Sequence, residues 1–396
     1  MRTVRVFVTG ASGMIGSELV DRLRRLGLSV VALAHTRSEL KLSDGSLIPL
    51  TSDFAKAPIA GEVVLLRGDV RHPRLGLDDA TYQRIVDTVD LIIHCAAITD
   101  FRLPPSVYPP VNTDGTAHAV ALAWAGGTPK PMIYVSTAYV CGWRQGRVSE
   151  DDLDGSYGFI NAHEESKYKA ELLVRASGAR GMPFVIARPS ILVGASRTGR
   201  IREFHNIYVI LKLVTEGCVR VLPGSYDATL DLVPIDYVVT SLVQLATNFD
   251  QLVGRCFHLT NGRPITFRDM SEVLTEYPTM LIPRIVPPQS FDLDARPPIE
   301  RRLYLRGVKA YDGYFRNRVE FVNDSMLELL AGLLPRPVHG KQQLRQLIDY
   351  CEKVGFLGNG GSMSQASPGR GLRADLRPPR ERRRAQINEG NRSGEL

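Results

Sequence analysis

The sequence predicts a doubly wound α/β fold, in which helices cover both faces of a parallel sheet. Short apolar runs alternate with amphipathic helical stretches between residues 1 and 190, and this alternation is typical of that class. A glycine-rich loop follows the first apolar run directly. The alternation breaks down after Ser190, which indicates a smaller C-terminal lobe.

Six apolar runs supply the predicted strands. Right-handed crossovers place the carboxyl ends of parallel strands along one edge of the sheet, so we expect ligand-binding residues to follow the strands. In chain order the runs are VRVFVTG, SVVALAH, EVVLLRGD, LIIHCAA, MIYVSTA and FVIARPS.

The glycine-rich loop predicts a dinucleotide site of the Rossmann-like type. Strand VRVFVTG runs into ASGMIGSELVDRLRRLG, which has the apolar spacing of an amphipathic helix. Glycines at such a junction allow a tight turn, close approach of the backbone to a pyrophosphate, and close packing of helix on strand. The predicted binding residues of the loop are Gly10, Ser12, Gly13, Met14, Ile15 and Gly16.

The residues after the second strand favour NADP(H) over NAD(H). An acid there would accept a hydrogen bond from the ribose 2′-hydroxyl and repel a 2′-phosphate. The window instead holds His35 and Arg37, and the first acid is Glu39. We expect Arg37 to meet the 2′-phosphate.

Residues after the other strands complete the predicted cofactor site. Asp69 ends the third strand, where its carboxylate would either accept from the adenine amino group or cap the turn. The remaining predicted cofactor contacts are Val70, Cys95, Ala96, Ala97 and Pro189.

The loss of alternation after Ser190 sets the predicted domain boundaries. Residues 1–190 form the NADP-binding domain, and residues 231–262 return to it. Residues 191–230 and 263–357 form a smaller substrate-binding lobe. The helix IYVILKLV in the first of these segments either lines the cleft or fills the core of the lobe.

The last segment, residues 358–396, is predicted to be a disordered basic tail. It holds eight arginines against four carboxylates, so +4 of the net charge of +7 lies there. The composition favours a solvated tail over a tether to RNA or to an anionic surface, and we expect no nucleic-acid partner.

Composition excludes several classes of protein. With 44% hydrophobic residues in 396, the chain is long enough for a large core. Neither a signal peptide nor an apolar run long enough for a membrane span is evident, so we expect a cytoplasmic protein. The five cysteines, Cys95, Cys141, Cys218, Cys256 and Cys351, are scattered, which favours reduced core thiols over disulfides or a metal site.

A set of motifs between about Val4 and Thr260 resembles the extended short-chain dehydrogenase/reductases. Within them, the similarity is to the branch that contains fatty acyl-CoA reductases and the terminal reductase domains that release thioesters. The motifs, in order, are TGASGMIG, RGDVRHPRLGL, IIHCAAITDF, VNTDGT, YVSTAYVCG, NAHEESKYKAE, ARPSILVG and DLVPIDYV.

The resemblance implies a catalytic set. Thr137 matches the hydroxyl that polarises the substrate carbonyl, and Lys167 matches the lysine that holds the nicotinamide ribose. Asn112 matches the asparagine that supports this lysine through water. His163 stands where the family has its proton-donating tyrosine, four residues before the lysine. The resemblance also implies a homodimer through helices at about 111–125 and 161–177.

Three hypotheses account for His163. It is a protonated acid, aided by Glu164 or Glu165; or it positions the carbonyl together with Thr137 and water; or the chain is an inactive relative that only binds cofactor. We expect a largely neutral imidazole, because Lys167 and an oxidised nicotinamide both disfavour its charged form. Donation of a proton by a neutral imidazole would leave an imidazolate, so it would be a poor acid.

The resemblance therefore implies an NADPH-dependent reductase with an atypical active site. Its expected substrate is a ketone, an aldehyde or an acyl thioester on a largely apolar acyl or polyketide-like small molecule. A sugar-nucleotide epimerase or dehydratase of the same fold and a non-catalytic NADP sensor are the alternatives.

Overall fold

A computed structural model of the chain describes residues 3–51, 54, 57–333 and 339–357, and these form one compact unit. The tail predicted to be disordered lies outside the described residues. None of the described helices has the length and the apolar character needed to cross a membrane.

The strands in chain order are β1 (Arg5–Thr9), β2 (Ser29–Ala34), β3 (Val63–Arg67), β4 (Leu91–His94), β5 (Met132–Val135), β6 (Gly146–Val148), β7 (Phe184–Pro189), β8 (Ile191–Val193), β9 (Val221–Pro223), β10 (Thr229–Leu230), β11 (Leu232–Pro234), β12 (Cys256–Leu259), β13 (Ile265–Thr266), β14 (Arg284–Val286) and β15 (Val319–Phe321).

The α-helices are α1 (Met14–Arg25), α2 (Asp79–Thr88), α3 (Asp114–Trp124), α4 (Ala162–Ala179), α5 (Ile207–Thr215), α6 (Ile235–Thr247), α7 (Phe249–Leu252), α8 (Phe267–Leu274), α9 (Pro298–Leu303), α10 (Asp324–Leu329) and α11 (Gly340–Lys353).

The main sheet has seven parallel strands in the order β3-β2-β1-β4-β5-β7-β12. All six predicted strands belong to it, so the doubly wound fold class is confirmed. The strand order reverses between β1 and β4, and ligands of such sheets bind in the crevice at that point. The seventh strand, β12, comes from the segment 231–262 and pairs with β7.

Two layers of helices explain why the strands are apolar on both faces. Along β1, Val6 and Val8 face one hydrophobic cluster, to which α1 and α6 contribute. Phe7, between them, faces a second cluster, to which α2, α3 and α4 contribute. Because each face is covered, both sets of side chains are removed from water.

Four small pairs of strands lie outside the main sheet and join the later segments to one another or to the chain between β5 and β7. β8 pairs with β11, β9 with β14 and β6 with β15, all parallel, and β10 pairs antiparallel with β13. The β6–β15 pair joins the segment around residue 320 to the chain that follows β5, beside the carboxyl edge of the sheet. The assignment of residues 191–230 and 263–357 to substrate binding stays a prediction.

Helix α4 places an unusual number of polar side chains inside the molecule. It begins after Asn161, whose Oδ1 accepts a hydrogen bond from the backbone N–H of Glu164 at 3.0 Å. The buried polar residues of the helix are His163, Glu164, Ser166, Lys167, Glu171 and Ser177.

A buried ion pair holds α4 against the sheet. Glu171 on α4 accepts hydrogen bonds from Arg188 on β7, at 2.6 Å from Nη2 and 3.1 Å from Nε, and from Ser136 at 2.8 Å. Both charged side chains are fully buried. Burial works to raise the pKa of Glu171, but the charge and hydrogen bonds of Arg188, together with Arg175 and Ser136, outweigh it and lower that pKa.

We expect Arg188→Met to lower the free energy of unfolding by about 3–5 kcal/mol, because it leaves the buried Glu171 carboxylate without its main partner. The control is Arg175→Met, which removes a partly exposed arginine from the same carboxylate and should cost less than about 1 kcal/mol. Urea unfolding followed by circular dichroism measures both. Equal small losses would show that the pair does not hold the helix.

Candidate active site

The turn between β1 and α1 accepts only glycine at two positions. Gly10 has φ +68°, and a Cβ there would lie 2.7 Å from the backbone of Ala96. A Cβ on Gly16 would lie 2.2 Å from the carbonyl oxygen of Gly10. Gly13 precedes the first residue of α1 and provides no side-chain cap, which leaves the N–H groups at the helix start for a ligand.

A cavity of about 390 Å³ extends from this loop toward the ends of β2 and β3. Several of the predicted cofactor residues come together on its wall, as expected for residues that follow parallel strands. They are Gly10, Ser12, Gly13, His35, Asp69, Val70, Cys95, Ala96 and Ala97.

Asp69 caps its turn in this cavity wall. Its Oδ1 accepts a hydrogen bond from the backbone N–H of Arg71 at 3.0 Å, and the Arg71 guanidinium contacts both carboxylate oxygens. Partial burial works to raise the pKa of Asp69, but the hydrogen bonds from Arg71 outweigh it and lower the pKa to about 2. His35 Nε2 lies 3.3 Å from the same carboxylate. The contact of Asp69 with adenine stays a prediction.

Arg37 contacts an acid that the sequence did not reveal. Its Nη2 lies 3.2 Å from Oε1 of Glu203, which comes from the segment between β8 and α5. The neighbouring Arg202 donates to the carbonyl oxygen of Ser12 at 3.0 Å and to Ser17 Oγ at 3.2 Å. The segment therefore lies across the glycine loop and brings a carboxylate next to the residue predicted to bind a 2′-phosphate.

A second cavity, of about 210 Å³, shares Gly10, Gly13, Cys95 and Ala97 with the first and continues along the carboxyl edge of the sheet. Its wall contains three of the four predicted catalytic residues and the rest of the glycine loop. The predicted residues on this wall are Met14, Ile15, Gly16, Thr137, His163, Lys167 and Pro189.

Lys167 lies on the inner face of α4. Its Nζ donates to the carbonyl oxygen of Val135 at 2.7 Å and lies 4.3 Å from the centre of the Tyr134 ring. Burial lowers the pKa of Lys167 to about 7, against the opposing effects of Cys95 and Glu171. Its charge therefore changes close to neutral pH.

His163 is held neutral. Burial, followed by the charge of Lys167, lowers the pKa of His163 to about 3. Its Nδ1 is buried without a hydrogen-bond partner among the described residues. The ring packs against Phe101, with centroids 5.1 Å apart, and against Tyr108, at 6.3 Å.

The two neighbouring acids do not support a protonated His163. Glu164 accepts from the backbone N–H of Ile160 and from the Tyr314 hydroxyl, and Glu165 pairs with Lys169. Neither acid contacts the imidazole through a described hydrogen bond; a positioning role is consistent with this geometry, and the catalytic role of His163 stays a prediction.

Thr137 and Asn112 differ in their access to the cavity. Thr137 follows β5, and its Oγ1 accepts a hydrogen bond from the backbone N–H of Tyr139 at 3.3 Å. Among the described residues, no acceptor is bonded to the O–H of Thr137, so this O–H is available to a ligand in the cavity. Asn112 is fully buried; it bonds to the backbone of Ile98 and donates to Ser166 Oγ at 2.9 Å. Asn112 thus joins the loop after β4 to α4, next to Lys167, and its support of the lysine through water stays a prediction.

Four aromatic side chains lie on the wall of this cavity, and the sequence patterns did not predict them as a group. Phe101 follows β4, Tyr139 follows Thr137 by two residues, and Tyr208 and Tyr314 come from segments distant in the chain. Phe101 and Tyr139 follow strand ends, where ligands of such sheets bind, so the sequence could have identified them. Tyr208 lies in the helix IYVILKLV, for which the sequence left a place in the cleft open, whereas Tyr314 carries no such signal.

The residues present fit a dinucleotide. The glycine turn leaves space that any Cβ would fill, and it is followed by the uncapped N–H groups at the start of α1. The buried Lys167 lines the cavity that continues from this turn along the carboxyl edge of the sheet. One cavity would hold the adenosine half and the other the nicotinamide half together with a substrate.

Comparisons with known proteins agree with this geometry. The family model described as male sterility protein matches residues 8–242. The chain is 28% identical over 297 residues to the L-2-aminoadipate reductase large subunit of Candida glabrata, covering 69% of this chain and 21% of that protein. It is 30% identical over 278 residues to the carboxylic acid reductase of Mycobacterium tuberculosis, covering 61% and 23%. It thus spans about a fifth of the length of these curated relatives.

A solved structure is similar over almost its whole length. The terminal R domain from the myxalamid PKS-NRPS biosynthetic pathway superposes with a TM-score of 0.74 at 25% identity, covering 90% of this chain and 93% of that one. A UDP-galactose 4-epimerase superposes with a TM-score of 0.59 at 17% identity, which shows a shared fold alone. The chain belongs to the male sterility protein family of the extended short-chain dehydrogenase/reductases, whose members are NAD(P)-dependent reductases.

Proposed function

We propose that this chain is an NADPH-dependent reductase of a carbonyl group on a largely apolar acyl or polyketide-like substrate, presented as an aldehyde, a ketone or an acyl thioester. The observation that carries the proposal is the 210 Å³ cavity, whose wall brings Lys167 and Thr137 together with aromatic side chains. The names of the relatives, which are reductases of carboxylic acids and domains of peptide and polyketide pathways, support the acyl class.

The chain's own residues bind and orient both reactants. The reduced nicotinamide would supply a hydride to the carbonyl carbon. Lys167 would hold the nicotinamide ribose, and in support its amine lies beside the strand end that precedes Thr137. The Thr137 hydroxyl would donate to the substrate oxygen, and the uncompensated Nδ1 of His163 would gain a partner from the bound substrate. A buried polar atom without a partner costs about 1–3 kcal/mol, so that contact favours binding.

The wall of the cavity also excludes water from the reacting carbon. Phe101, Tyr139 and Tyr208 present ring surface there, and dispersion and burial of an acyl chain would stabilise the complex. A sugar nucleotide, whose hydroxyls need many polar partners, fits the aromatic part of this wall less well. The aromatic side chains therefore favour the reductase over the epimerase alternative.

The non-catalytic alternative rests on one observation. The residue at the position of the family's proton donor is a neutral histidine. If no other group donates the proton, the chain would bind the cofactor without turnover. Turnover of any carbonyl substrate excludes it.

We expect the chain to bind NADPH more tightly than NADH. Arg37→Ala should remove about 1–3 kcal/mol of that preference, the scale of a hydrogen bond to a charged group. Glu203→Gln should strengthen NADPH binding, because Glu203 competes with a 2′-phosphate for Arg37. Calorimetry with both cofactors measures these changes, and Arg268→Ala, at an exposed ion pair in another segment, is the control. Equal affinities of the wild type for both cofactors would refute the assignment.

We expect His163→Gln to keep most of the turnover, within about tenfold of wild type, because an amide still donates a hydrogen bond. His163→Ala should lose more, up to about 10²-fold, the lower limit for loss of a proton-transfer partner. Since the pKa of His163 is about 3, wild-type turnover should show no titration of this residue between pH 5 and 8. NADPH oxidation with an aldehyde substrate measures these effects. A loss of 10⁴-fold in both variants, with cofactor affinity unchanged, would instead identify His163 as the acid.

A further inference from the structure

The cavity needs a proton donor other than His163. Reduction of a carbonyl delivers a proton to the oxygen as the hydride reaches the carbon. A neutral imidazole that gave up its proton would become an imidazolate, and the amine of the nearby Lys167 already donates to the carbonyl oxygen of Val135. Among the described cavity residues, a tyrosine with a carboxyl partner is the group best suited to the task.

Tyr314 reaches the cavity from the segment before β15. Phe101 packs against His163 at 5.1 Å and stacks on Tyr314 at 5.9 Å, so one ring connects the two side chains. Tyr139 packs edge-on against Tyr314 at 5.2 Å, and its backbone N–H donates to Thr137. The phenol of Tyr314 therefore belongs to the wall that also presents Thr137 and His163.

The hydroxyl of Tyr314 is attached to the first turn of α4. It lies 2.5 Å from Oε1 of Glu164, and Nδ2 of Asn161 donates to it at 3.0 Å. The other carboxylate oxygen of Glu164 accepts from the backbone N–H of Ile160 at 3.0 Å. Glu164 is fully buried, and no basic side chain contacts its carboxylate within the part of the chain that the structure describes.

The protonation state of Glu164 decides whether the phenol of Tyr314 can donate its proton to a substrate. A phenol donates one hydrogen bond through its O–H and accepts through the lone pairs of its oxygen. When Glu164 is a carboxylate, the phenol must donate to it and has no proton for a substrate. When Glu164 is protonated, its O–H and the Asn161 amide both donate to the phenol oxygen, and the phenol O–H is available to the cavity.

Burial favours the protonated form. It raises the pKa of Glu164 to about 8, against the opposing hydrogen bonds from Tyr314 and Ile160. At neutral pH Glu164 is therefore mostly an uncharged acid, beside a phenol that lines the cavity.

We propose that Tyr314 is the catalytic acid of the reduction and that Glu164 supplies its proton, an inference that rests on the proposed reductase function. As the hydride bonds to the carbonyl carbon, the π electrons of the carbonyl pass to its oxygen, which takes the phenol proton. The phenol oxygen takes the Glu164 proton, which leaves an alcohol, an oxidised nicotinamide and a Glu164 carboxylate. After the product leaves, water in the cavity returns a proton to Glu164 through the same phenol.

The test uses the full chain with NADPH and decanal as the probe. Tyr314→Phe should lower kcat by about 10² to 10³-fold, within the range for loss of a general acid, while the NADPH affinity and the melting temperature stay unchanged. Lys167, with a pKa of about 7, contributes a titration of its own, and wild-type kcat should show a further decrease as pH rises through about 8, because Glu164 loses its proton there. Glu164→Gln should abolish that decrease.

A second tyrosine–carboxylate pair provides the matched control. Tyr304 donates to Asp312 and is buried in the same lobe, but it does not belong to the cavity wall. Tyr304→Phe should keep wild-type kcat and the same pH profile. If Tyr314 had only a structural role, Tyr314→Phe would lower the melting temperature and would keep the decrease in kcat above pH 8.

The two proposals fail in different ways. A wild-type chain that binds NADPH but reduces neither decanal nor its coenzyme A thioester overturns both the reductase function and the proton relay. An active wild type with Tyr314→Phe within a few-fold of it, or with Glu164→Gln retaining the alkaline decrease, overturns the relay alone.

Discussion

The site depends on one constraint, the burial of the polar face of α4 against the sheet. A charged group inside a protein costs several kcal/mol unless partners compensate it. Glu171 has Arg188 and Ser136, and Lys167 has the Val135 carbonyl and the face of the Tyr134 ring. These contacts fix the rotation and height of the helix, and so they fix where His163 and Lys167 enter the cavity.

The same burial shifts the pKa values of neighbouring groups on α4, which lie less than two helical turns apart. It lowers the pKa of Lys167 to about 7 and of His163 to about 3, and it raises the pKa of Glu164 to about 8. Environments that move neighbouring groups in opposite directions allow acid and base roles to coexist near neutral pH. Here the histidine is left neutral, and the acidic proton resides on Glu164, beside a tyrosine from another segment.

Sequence patterns predicted the part of the molecule that local rules control. The six strands, the glycine turn and the helix after it follow from apolar runs and from glycine geometry, and the residues at the strand ends meet because parallel strands share an edge. The neutrality of His163 was also expected, but from the charges of Lys167 and an oxidised nicotinamide. The structure shows that burial is the larger cause of the lowered pKa. The burial of a side chain cannot be read from the spacing of residues in the sequence.

The parts that sequence did not predict come from contacts between distant segments. Glu203 meets Arg37 across 166 positions, and Tyr314 meets Glu164 across 150. The short strand pairs that carry these segments, such as β6 with β15, have three residues each, too few to give a periodic signal. Both contacts change the chemistry of the site, since one adds an acid near the cofactor ribose and the other adds a phenol to the cavity.

The central claim is that this cleft transfers a hydride from NADPH to a carbonyl carbon. The most direct test incubates the chain with decanal and NADPH dideuterated at the nicotinamide C4, and analyses the product by mass spectrometry. The account predicts decanol with one deuterium on its hydroxyl-bearing carbon. Tight NADPH binding with no deuterium transferred to decanal or to its thioester would contradict it and would identify a cofactor-binding module instead.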